Sequence, residues 1–411
     1  MRIIVIGAGA SGLMAALEAA KGGHEVWILE KNEKAGKKIY ITGKGRCNVT
    51  NNCDVNNFIK NVITNPKFLF SALNKFKPSD TMNFFESNKT PLVIERGNRV
   101  YPQSYKASDI TKCLVEECLK YKVRILYKNE VKDIQYKDGK FIVSIMYNQA
   151  SYNQMSCDKL VVATGGLSYP STGSNGQGHN YLKKLGHTIT PLLPALIRIE
   201  CRDAFLRELD GLNLKNVELT ALTPSKKYSF FGELDFYDKG IEGPISLKIS
   251  SYLNKCKENI ELFIDLKTAL NEEQLDARLL KEFNNDKNAS LKKIMKELLP
   301  HKLVNPFISV SHLDGEKLVN SITSNERKVI INYLKKFPLR YGKLDSLERA
   351  VVTCGGVDVK EINPRTMESK IISGLYIVGE LIDVDALTGG FNLQIAFSTG
   401  YSAGKAIAEL E

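Results

Sequence analysis

The glycine-rich segment near the N-terminus constrains the fold more than any other feature of this 411-residue chain. Residues 2–6 read Arg-Ile-Ile-Val-Ile, a short apolar run typical of a strand buried on both faces of a parallel sheet. Residues 7–12 read Gly-Ala-Gly-Ala-Ser-Gly, an alanine-rich helical stretch follows, and a second strand ends at Glu30. The order strand, tight turn, helix, strand predicts an α/β unit built on a parallel sheet.

Each part of this unit suits the binding of a dinucleotide on a Rossmann-like fold. Gly7 would make the turn, Gly9 would let the backbone approach a pyrophosphate, and Gly12 would let helix and strand pack closely. The helix N-terminus would face the phosphates, and Glu30 would accept hydrogen bonds from the adenosine ribose. The alternative is a glycine-rich turn in a purely structural unit.

Two later strand ends favour FAD over NAD as the dinucleotide. Residues 159–162 form another buried-strand pattern, and residues 163–166 continue it as Ala-Thr-Gly-Gly. A third pattern at 374–380 ends in Gly-Glu, and Asp383 follows three residues later. An elongated FAD would use the second strand end for close backbone approach and the third for its ribityl hydroxyls and diphosphate. We therefore expect three distant strand ends to meet at one ligand.

Further segments carry a specific pattern of residues: 31–38, 42–51, 168–170, 172–174, 353–357, 366–370, 379–385 and 388–394. With the N-terminal fingerprint, they resemble the HI0933-like family of FAD flavoproteins of the two-dinucleotide-binding-domain type. The resemblance spans nearly the whole chain and is weakest from about 255 to 340. It implies a Rossmann-like FAD-binding domain formed by both chain ends (1–190 and 345–411). An inserted β-rich domain (191–344) would carry a helical subdomain at about 255–337.

The residue patterns support this architecture independently. Residues 191–250 contain short alternating runs and turn signals, which predict antiparallel strands. Residues 266–300 and 313–337 are rich in Leu, Lys and Glu at helical spacing, so we expect two helical stretches there.

The resemblance and the motifs together predict a set of residues that contact FAD. The set is Gly7, Gly9, Ala10, Ser11, Gly12, Glu30, Lys31, Lys38, Gly43, Arg46, Cys47, Asn48, Val131, Thr164, Gly165, Gly166, Gly379, Glu380, Asp383, Gly389, Gly390, Asn392 and Leu393. The resemblance places residues 43–48 near the flavin ring. Gly389 and Gly390 precede a long helical pattern at 392–410, whose dipole would stabilise the anionic reduced flavin. A simple helix N-cap by Thr388 or Asn392 is the compatible alternative.

Two residues are candidates for the chemistry itself. Cys47 could be a covalent link to the flavin, a redox thiol or a packing residue beside the ring, and packing is favoured because no CxxC partner exists. Tyr169 could line the substrate side or donate a proton, or simply pack beside Pro170. Residues 400–404 match the GxSxG pattern of serine hydrolases, but they fall inside a helical pattern where that motif needs a strand before it.

These observations predict an FAD-dependent oxidoreductase that moves a hydride between flavin and an organic substrate beneath the inserted domain. The resemblance favours an NAD(P)H-driven reductase of an activated carbon–carbon double bond, of the 3-oxo steroid or bile-acid type. NAD(P)H would visit transiently, because the sequence has a single GxGxxG fingerprint. The alternatives are an oxidase of small amines such as aminoacetone that uses O₂, an RNA-binding or RNA-modifying flavoprotein, and a flavin carrier without turnover.

The net charge of +11 motivates the RNA alternative, since an excess of cations suits a polyanion. The excess is uneven: residues 31–48 contain six basic groups and one acid, whereas residues 351–411 contain four basic groups and eight acids. We therefore expect it to serve the anionic cofactor in part, with a small-molecule substrate and no stable nucleic-acid partner. Eight cysteines without CxxC and five scattered histidines predict no metal site. The sequence contains no apolar run long enough to predict membrane insertion, so we expect a cytoplasmic protein.

Overall fold

A computed structural model describes residues 1–148, 151–256 and 259–410. Contacts divide the chain into two units, one formed by Met1–Ala195 with Ser346–Glu411 and the other by Leu196–Asp345. The second unit thus begins at 196 where the sequence suggested 191, and ends at 345 where it suggested 344.

Strands and helices follow one another along the chain in this order: β1 (Arg2–Ile6), α1 (Ala10–Lys21), β2 (Glu25–Glu30), α2 (Lys37–Ile41), β3 (Thr50–Asn51), α3 (Val55–Ile59), α4 (Phe70–Lys75), α5 (Pro78–Ser87), β4 (Leu92–Glu95), β5 (Arg99–Pro102), α6 (Ala107–Lys120), β6 (Arg124–Tyr127), β7 (Asn129–Lys137), β8 (Lys140–Tyr147), β9 (Ser151–Cys157), β10 (Lys159–Val162), α7 (Gln177–Lys184), β11 (Leu193–Ala195), β12 (Ile199–Cys201), α8 (Leu206–Leu209), β13 (Asn213–Leu222), β14 (Lys227–Tyr237), β15 (Gly240–Glu242), α9 (Pro244–Leu253), β16 (Glu261–Asp265), α10 (Glu272–Asn285), α11 (Leu291–Leu298), α12 (His301–Ser311), α13 (Ser324–Lys335), β17 (Phe337–Leu344), β18 (Val352–Cys354), β19 (Leu375–Ile377) and α14 (Phe391–Ala408).

The first unit is built on a five-stranded parallel sheet with the order β19-β10-β1-β2-β6. Four of the five β1 residues are buried, as expected for a central strand covered on both faces. The three strands whose ends were predicted to meet, β1, β10 and β19, are neighbours in this sheet. The predicted α/β fold with a Rossmann-like parallel sheet is confirmed.

Helices α1 and α14 pack directly against each other because glycines remove the side chains between them. A Cβ on Gly400 would lie 2.3 Å from Ser11 O, and one on Gly404 would lie 2.4 Å from Ala15 O. Ser402 of the GxSxG match is fully buried within α14, where its hydroxyl donates to Ser398 O (2.8 Å). The match is therefore a helix-packing pattern.

Two antiparallel sheets of three strands, β3-β5-β4 and β7-β8-β9, extend the first unit. The short β3 joins the hairpin β4–β5 through the pairs Thr50–Val100 and Asn51–Arg99. The hairpin β4–β5 thereby lies beside the residues of β3, which matter for the site described below.

The second unit contains a closed barrel of six strands in the order β12-β15-β14-β13-β16-β17. All of its described strand pairs are antiparallel, as the alternating pattern predicted. Strand β16 lies inside the predicted helical subdomain, 255–337. The segment forms a strand because alternate residues, Leu262 and Ile264, are buried on one face.

Four helices, α10 to α13, cover residues 272–335 of the same unit. Helix α12 lies between the two stretches of predicted helical spacing, 266–300 and 313–337, and it contains Pro306 in its interior. Its buried residues Leu303, Val304 and Phe307 still follow the helical period, so core packing outweighs the cost of the proline here. In the part of the chain that the structure describes, no helix combines the length and apolar character needed to cross a membrane.

Candidate cofactor site

The turn between β1 and α1 has the geometry that a phosphate-binding glycine loop needs. Gly7 has a φ of 103°, and a Cβ on it would lie 2.6 Å from Ala163 O. A Cβ on Gly12 would lie 2.0 Å from Gly7 O, so this residue is required for packing within the protein. At Gly9, in contrast, no atom from elsewhere in the described protein lies within 4 Å of the position that a Cβ would take. The space over Gly9 is a cradle that a ligand can fill.

The N-terminus of α1 opens onto the same space. Its N-cap is Gly9, which makes no side-chain cap hydrogen bond, so the first helical amides at Ala10 and Ser11 carry the positive end of a 12-residue helix. Anions bind readily at such a terminus. The residues here therefore fit a pyrophosphate.

Glu30 ends β2 beside this turn and is held in one orientation. Its Oε2 accepts from Ala8 N (2.8 Å), and its Oε1 accepts from the backbone N and side-chain Nδ2 of Asn32 (2.8 and 2.7 Å). The carboxylate is buried, and a carboxylate offers about four acceptor sites. One acceptor position thus suits the ribose hydroxyl that the sequence predicted.

The Ala-Thr-Gly-Gly turn after β10 contains buried hydroxyl groups that suit a polar ligand. Gly165 has a φ of 74° and lies against Ser174 Oγ, while Gly166 lies against Thr353 Oγ1. Among the described residues, Thr164 Oγ1 and Ser174 Oγ have no hydrogen-bond partner although both atoms are buried. Buried polar groups are normally paired, so this turn fits a ligand that carries donors and acceptors, as FAD does.

Lys38 and Glu380 form a partly buried ion pair that the sequence did not predict. Lys38 Nζ lies 2.5 Å from Glu380 Oε2 and 2.6 Å from Ser168 Oγ. Glu380 Oε1 accepts from Ser168 Oγ and Thr353 N, each at 2.8 Å. Burial raises the pKa of Glu380, but Lys38 and these donors outweigh it and hold that pKa below its usual value. The pair joins α2, β18 and the loop after β19, and direct contact of either residue with FAD stays a prediction.

The loop after β19 approaches α1 closely. Gly379 has a φ of 72°, and a Cβ on it would lie 2.5 Å from Ser11 Oγ. Asp383 is buried, and its carbonyl oxygen accepts from Asn65 Nδ2 (2.8 Å). The structure therefore brings two of the predicted strand ends into contact at Ser11.

A second group of predicted residues meets at the N-terminus of α14. With its amide oriented to satisfy its neighbours, Asn48 donates to Val100 O and Thr50 O and accepts from Gly390 N (3.0 Å). A Cβ on Gly390 would lie 2.4 Å from Thr50 C, so only glycine allows this approach. Gly43 packs against Asn48 as well, with a Cβ position 3.1 Å from its backbone N. Residues 43–48 and 389–390 thus lie together, and their contact with the flavin ring stays a prediction.

The alternative of a side-chain N-cap on α14 is wrong. The N-cap is Gly390, and no side chain caps it. Asn392 instead holds the preceding loop by accepting from Ala386 N (3.0 Å) and donating to Ala386 O (2.7 Å). Leu393, the last predicted contact, lies half-buried in the first turn of the helix.

Sequence reasoning missed Asn51 and Gln394, which anchor this helix terminus. Asn51 Nδ2 donates to Gly389 O (3.0 Å) and Gly97 O (3.1 Å). Gln394 is fully buried and accepts from Thr50 Oγ1 (2.6 Å) and Thr81 Oγ1 (2.8 Å). For Gln394, the sequence signal was a polar residue within an otherwise apolar helical pattern.

Cys47 is fully buried and has a φ of 59°. Burial raises the pKa of its thiol to about 12, and a hydrogen bond with Thr42 offsets this only in part. A protonated, inaccessible thiol favours the packing interpretation over a redox role or a covalent link.

Tyr169 lies at the start of a short 3₁₀ turn with a φ of 52°, a conformation that non-glycine residues rarely adopt. Its backbone N donates to Glu348 O (3.2 Å) and its carbonyl accepts from Thr172 N (2.9 Å). The side chain is partly exposed. Backbone strain of this kind is concentrated at functional sites.

The remaining predicted contacts differ in their surroundings. Lys31 packs beside Gly173, and burial lowers its pKa although Glu130 and Glu30 act in the opposite direction. Val131 is buried, and its carbonyl accepts from Tyr181 Oη (2.5 Å). Arg46 lies 4.5 Å from the centre of the Tyr101 ring.

A parallel sheet of this order, with an open cradle at its first glycine turn and buried hydroxyls at its second, fits FAD, and the family and relatives of this chain show a flavin-dependent oxidoreductase. Over residues 1–406 the chain matches the family described as HI0933-like protein Rossmann domain, and it belongs to that family.

Relatives of known function are similar over their whole length. The ribosomal RNA dihydrouridine synthase of Haemophilus influenzae is 33% identical, and the match covers 98% of each chain. The 3-dehydro-bile acid delta(4,6)-reductase of Clostridium scindens is 30% identical over 99% of each chain.

Among solved structures, 3-ketosteroid-delta4-(5alpha)-dehydrogenase from Rhodococcus jostii RHA1 has a TM-score of 0.52 and 14% identity, over 99% of this chain and 96% of that one. This likeness shows that the two share a fold.

Proposed function

We propose that the protein reduces a carbon–carbon double bond conjugated to a carbonyl group, with bound FAD and with NAD(P)H as a transient electron donor. The observation that carries the proposal is the chemistry shared by the full-length relatives. A delta(4,6)-reductase of a 3-dehydro bile acid and a dihydrouridine synthase both add two hydrogens across such a bond. The bond type is thus common to two different substrate classes.

Bound FAD would supply the hydride-transfer chemistry. The chain would bind the adenosine diphosphate half at Gly9 and Glu30, and the flavin ring near Asn48 and Gly390. The amides of the first turn of α14 would stabilise negative charge on the ring, because Gly390 leaves them without a side-chain cap. Asn51 and Gln394 would hold that helix terminus in place.

Reduction of the double bond also requires a proton, and we assign Tyr169 as its donor. Its strained backbone and partial exposure support the assignment. Tyr169→Phe should slow reduction of the double bond about 10²-fold or more, while reduction of the flavin by NAD(P)H keeps its rate. Equal slowing of both half-reactions would contradict a proton-donor role.

Uracil within ribosomal RNA is the first substrate candidate. The relatives named ribosomal RNA dihydrouridine synthase support it, at 33% and 29% identity, as does the net charge of +11. The test is incubation of purified enzyme with NAD(P)H and ribosomal RNA that lacks dihydrouridine, followed by mass spectrometry of the nucleosides. Dihydrouridine should appear only with enzyme and donor together.

A 3-oxo steroid or bile acid with a conjugated double bond is the second candidate, and the bile-acid reductase at 30% identity favours it. Loss of the enone absorbance under the same conditions would support it. The two assays are independent, so a negative result in one excludes that substrate without excluding the other.

Stopped-flow mixing under nitrogen tests the direction of electron flow. Rapid bleaching of the flavin by NADH or NADPH supports a reductase. Bleaching by aminoacetone and by neither nucleotide would instead support the amine oxidase and overturn the proposal.

A further inference from the structure

Four cationic side chains and one aromatic ring lie on the hairpin β4–β5, directly after it, and on the segment before β3, and we call this group the hairpin surface. It consists of Lys44, Arg46, Arg96, Arg99 and Tyr105. Lys44 and Arg96 are exposed, and Tyr105 exposes 41% of its surface. The Tyr105 ring is therefore accessible to a ligand beside these cations.

Strand register places Arg99 of this group on one face of the hairpin. Glu95 pairs with Arg99 and Val93 pairs with Tyr101, so Val93, Glu95, Arg99 and Tyr101 share that face. The Arg46 guanidinium lies over Tyr101 (4.5 Å) and near Tyr105 (5.6 Å), and it pairs with Glu95 (3.1 Å).

The hairpin surface is continuous with the residues assigned to the flavin ring. Asn51 Nδ2 bonds both Gly97 O at the hairpin tip and Gly389 O in the loop before α14. On the other side, Gly43 packs near Tyr101, with a Cβ position 3.4 Å from the ring. A molecule whose reactive group reaches the flavin through this edge would contact the hairpin surface with its remaining parts.

We propose that the hairpin surface binds single-stranded RNA around the target base. Lys44, Arg96 and Arg99 contact phosphates, and Tyr105 stacks on a base next to the target. This inference rests on the proposed reduction of uracil in RNA.

Charge and ring geometry favour this occupant over a steroid. The surface has four cations and one acid, Glu95, which Arg46 neutralises. A neutral steroid cannot pair with the three remaining cations, and a bile acid offers one carboxylate, whereas RNA carries a phosphate at each nucleotide. Exposed aromatic rings and guanidinium planes are the groups on which unpaired bases stack in single-stranded RNA sites, and Tyr105 is such a ring beside Arg46.

The experiment measures binding of a uridine-rich RNA hairpin loop to the FAD-loaded enzyme as a function of salt. Arg96→Ala and Lys44→Ala should each lower the slope of log affinity against log salt by about 0.7 to 0.9, the value for one phosphate contact. Tyr105→Ala should weaken binding about tenfold with the salt slope unchanged, because stacking carries no charge. Tyr105→Phe should restore binding.

Lys137→Ala is the matched control, since Lys137 is an exposed cation on the hairpin β7–β8 of the same unit. It should leave the salt slope as in the wild type. Equal slopes in Arg96→Ala, Lys44→Ala and the control would overturn the surface assignment, even if wild-type enzyme makes dihydrouridine. Wild-type enzyme that binds no RNA, or that binds a duplex as well as the loop, would overturn it too. Failure of the proposed function is distinguished by nucleoside analysis, which gives no dihydrouridine whatever the binding result.

Discussion

Lys38 Nζ and Glu380 Oε2 lie 2.5 Å apart although 342 residues separate them in the chain. The pair connects α2, which follows β2, with the loop after β19. The pair is partly buried, so removal of one partner leaves an uncompensated charge, which is more costly than loss of the pair itself.

Glu380→Gln should lower the free energy of unfolding by about 2 kcal/mol or more, because Lys38 is then left without its counter-ion. The pKa of Glu380 is held below its usual value, so its contribution is complete above the unfolded-state pKa and is lost as pH falls through the folded-state pKa. Chemical denaturation at pH 7 and at pH 3 tests this. The difference between wild type and variant should shrink at the lower pH, and a constant difference would contradict the ionic explanation.

Substitution of Gly9 and of Gly12 by alanine should affect different properties, namely FAD affinity and the stability of the protein. Gly9→Ala should fold with nearly wild-type stability without cofactor, since the added methyl meets open space, but should bind FAD about tenfold or more weakly. Gly12→Ala should destabilise the protein itself, because the methyl would lie 2.0 Å from Gly7 O. Thermal unfolding without FAD and FAD titration separate the two effects. Gly23→Ala is not a suitable control because of its φ of 82°.

Glu30→Ala should weaken FAD binding and also lower stability. The change removes the ribose acceptor and leaves the amides of Ala8 and Asn32 without their acceptor, at a cost of about 1 to 3 kcal/mol. FAD titration and denaturation of the FAD-free protein measure the two parts separately. FAD affinity equal to that of the wild type would show that the ribose assignment is wrong.

Cys47 should react slowly with iodoacetamide at pH 8 in the folded protein. It is buried and its thiol has a pKa of about 12, so the thiolate fraction is small. Mass spectrometry should find Cys47 unlabelled under native conditions and labelled in denaturant. FAD should leave the protein on denaturation, and flavin that stays attached to Cys47 would contradict the packing role.

Local patterns predicted the elements of the site well. The GxGxxG turn, the Ala-Thr-Gly-Gly turn and the glycines before α14 each combine residues adjacent in sequence. In each of them a glycine allows a close contact, with backbone in the first and third and with side-chain hydroxyls in the second. Burial of alternate residues in β16 was equally local, yet it was overlooked within a region rich in helical residues.

Pairings between distant segments could not be predicted in this way. The contacts of Lys38 with Glu380 and of Asn51 with Gly389 depend on which strands become neighbours, and no spacing in the sequence encodes that. For the same reason, the six basic groups at 31–48 looked available to the cofactor, whereas Lys37, Lys38 and Arg46 form ion pairs with acids of the protein.

The sheet order β19-β10-β1 also has a consequence for how the protein is made. β1 leaves the ribosome first, and β19 and α14 leave it more than 360 residues later. Because domains fold as units during synthesis, residues 196–345 can complete their barrel while α1 still lacks its partner helix. The glycine turn after β1 is therefore synthesised early, but the elements that complete its surroundings are added only near the end of translation.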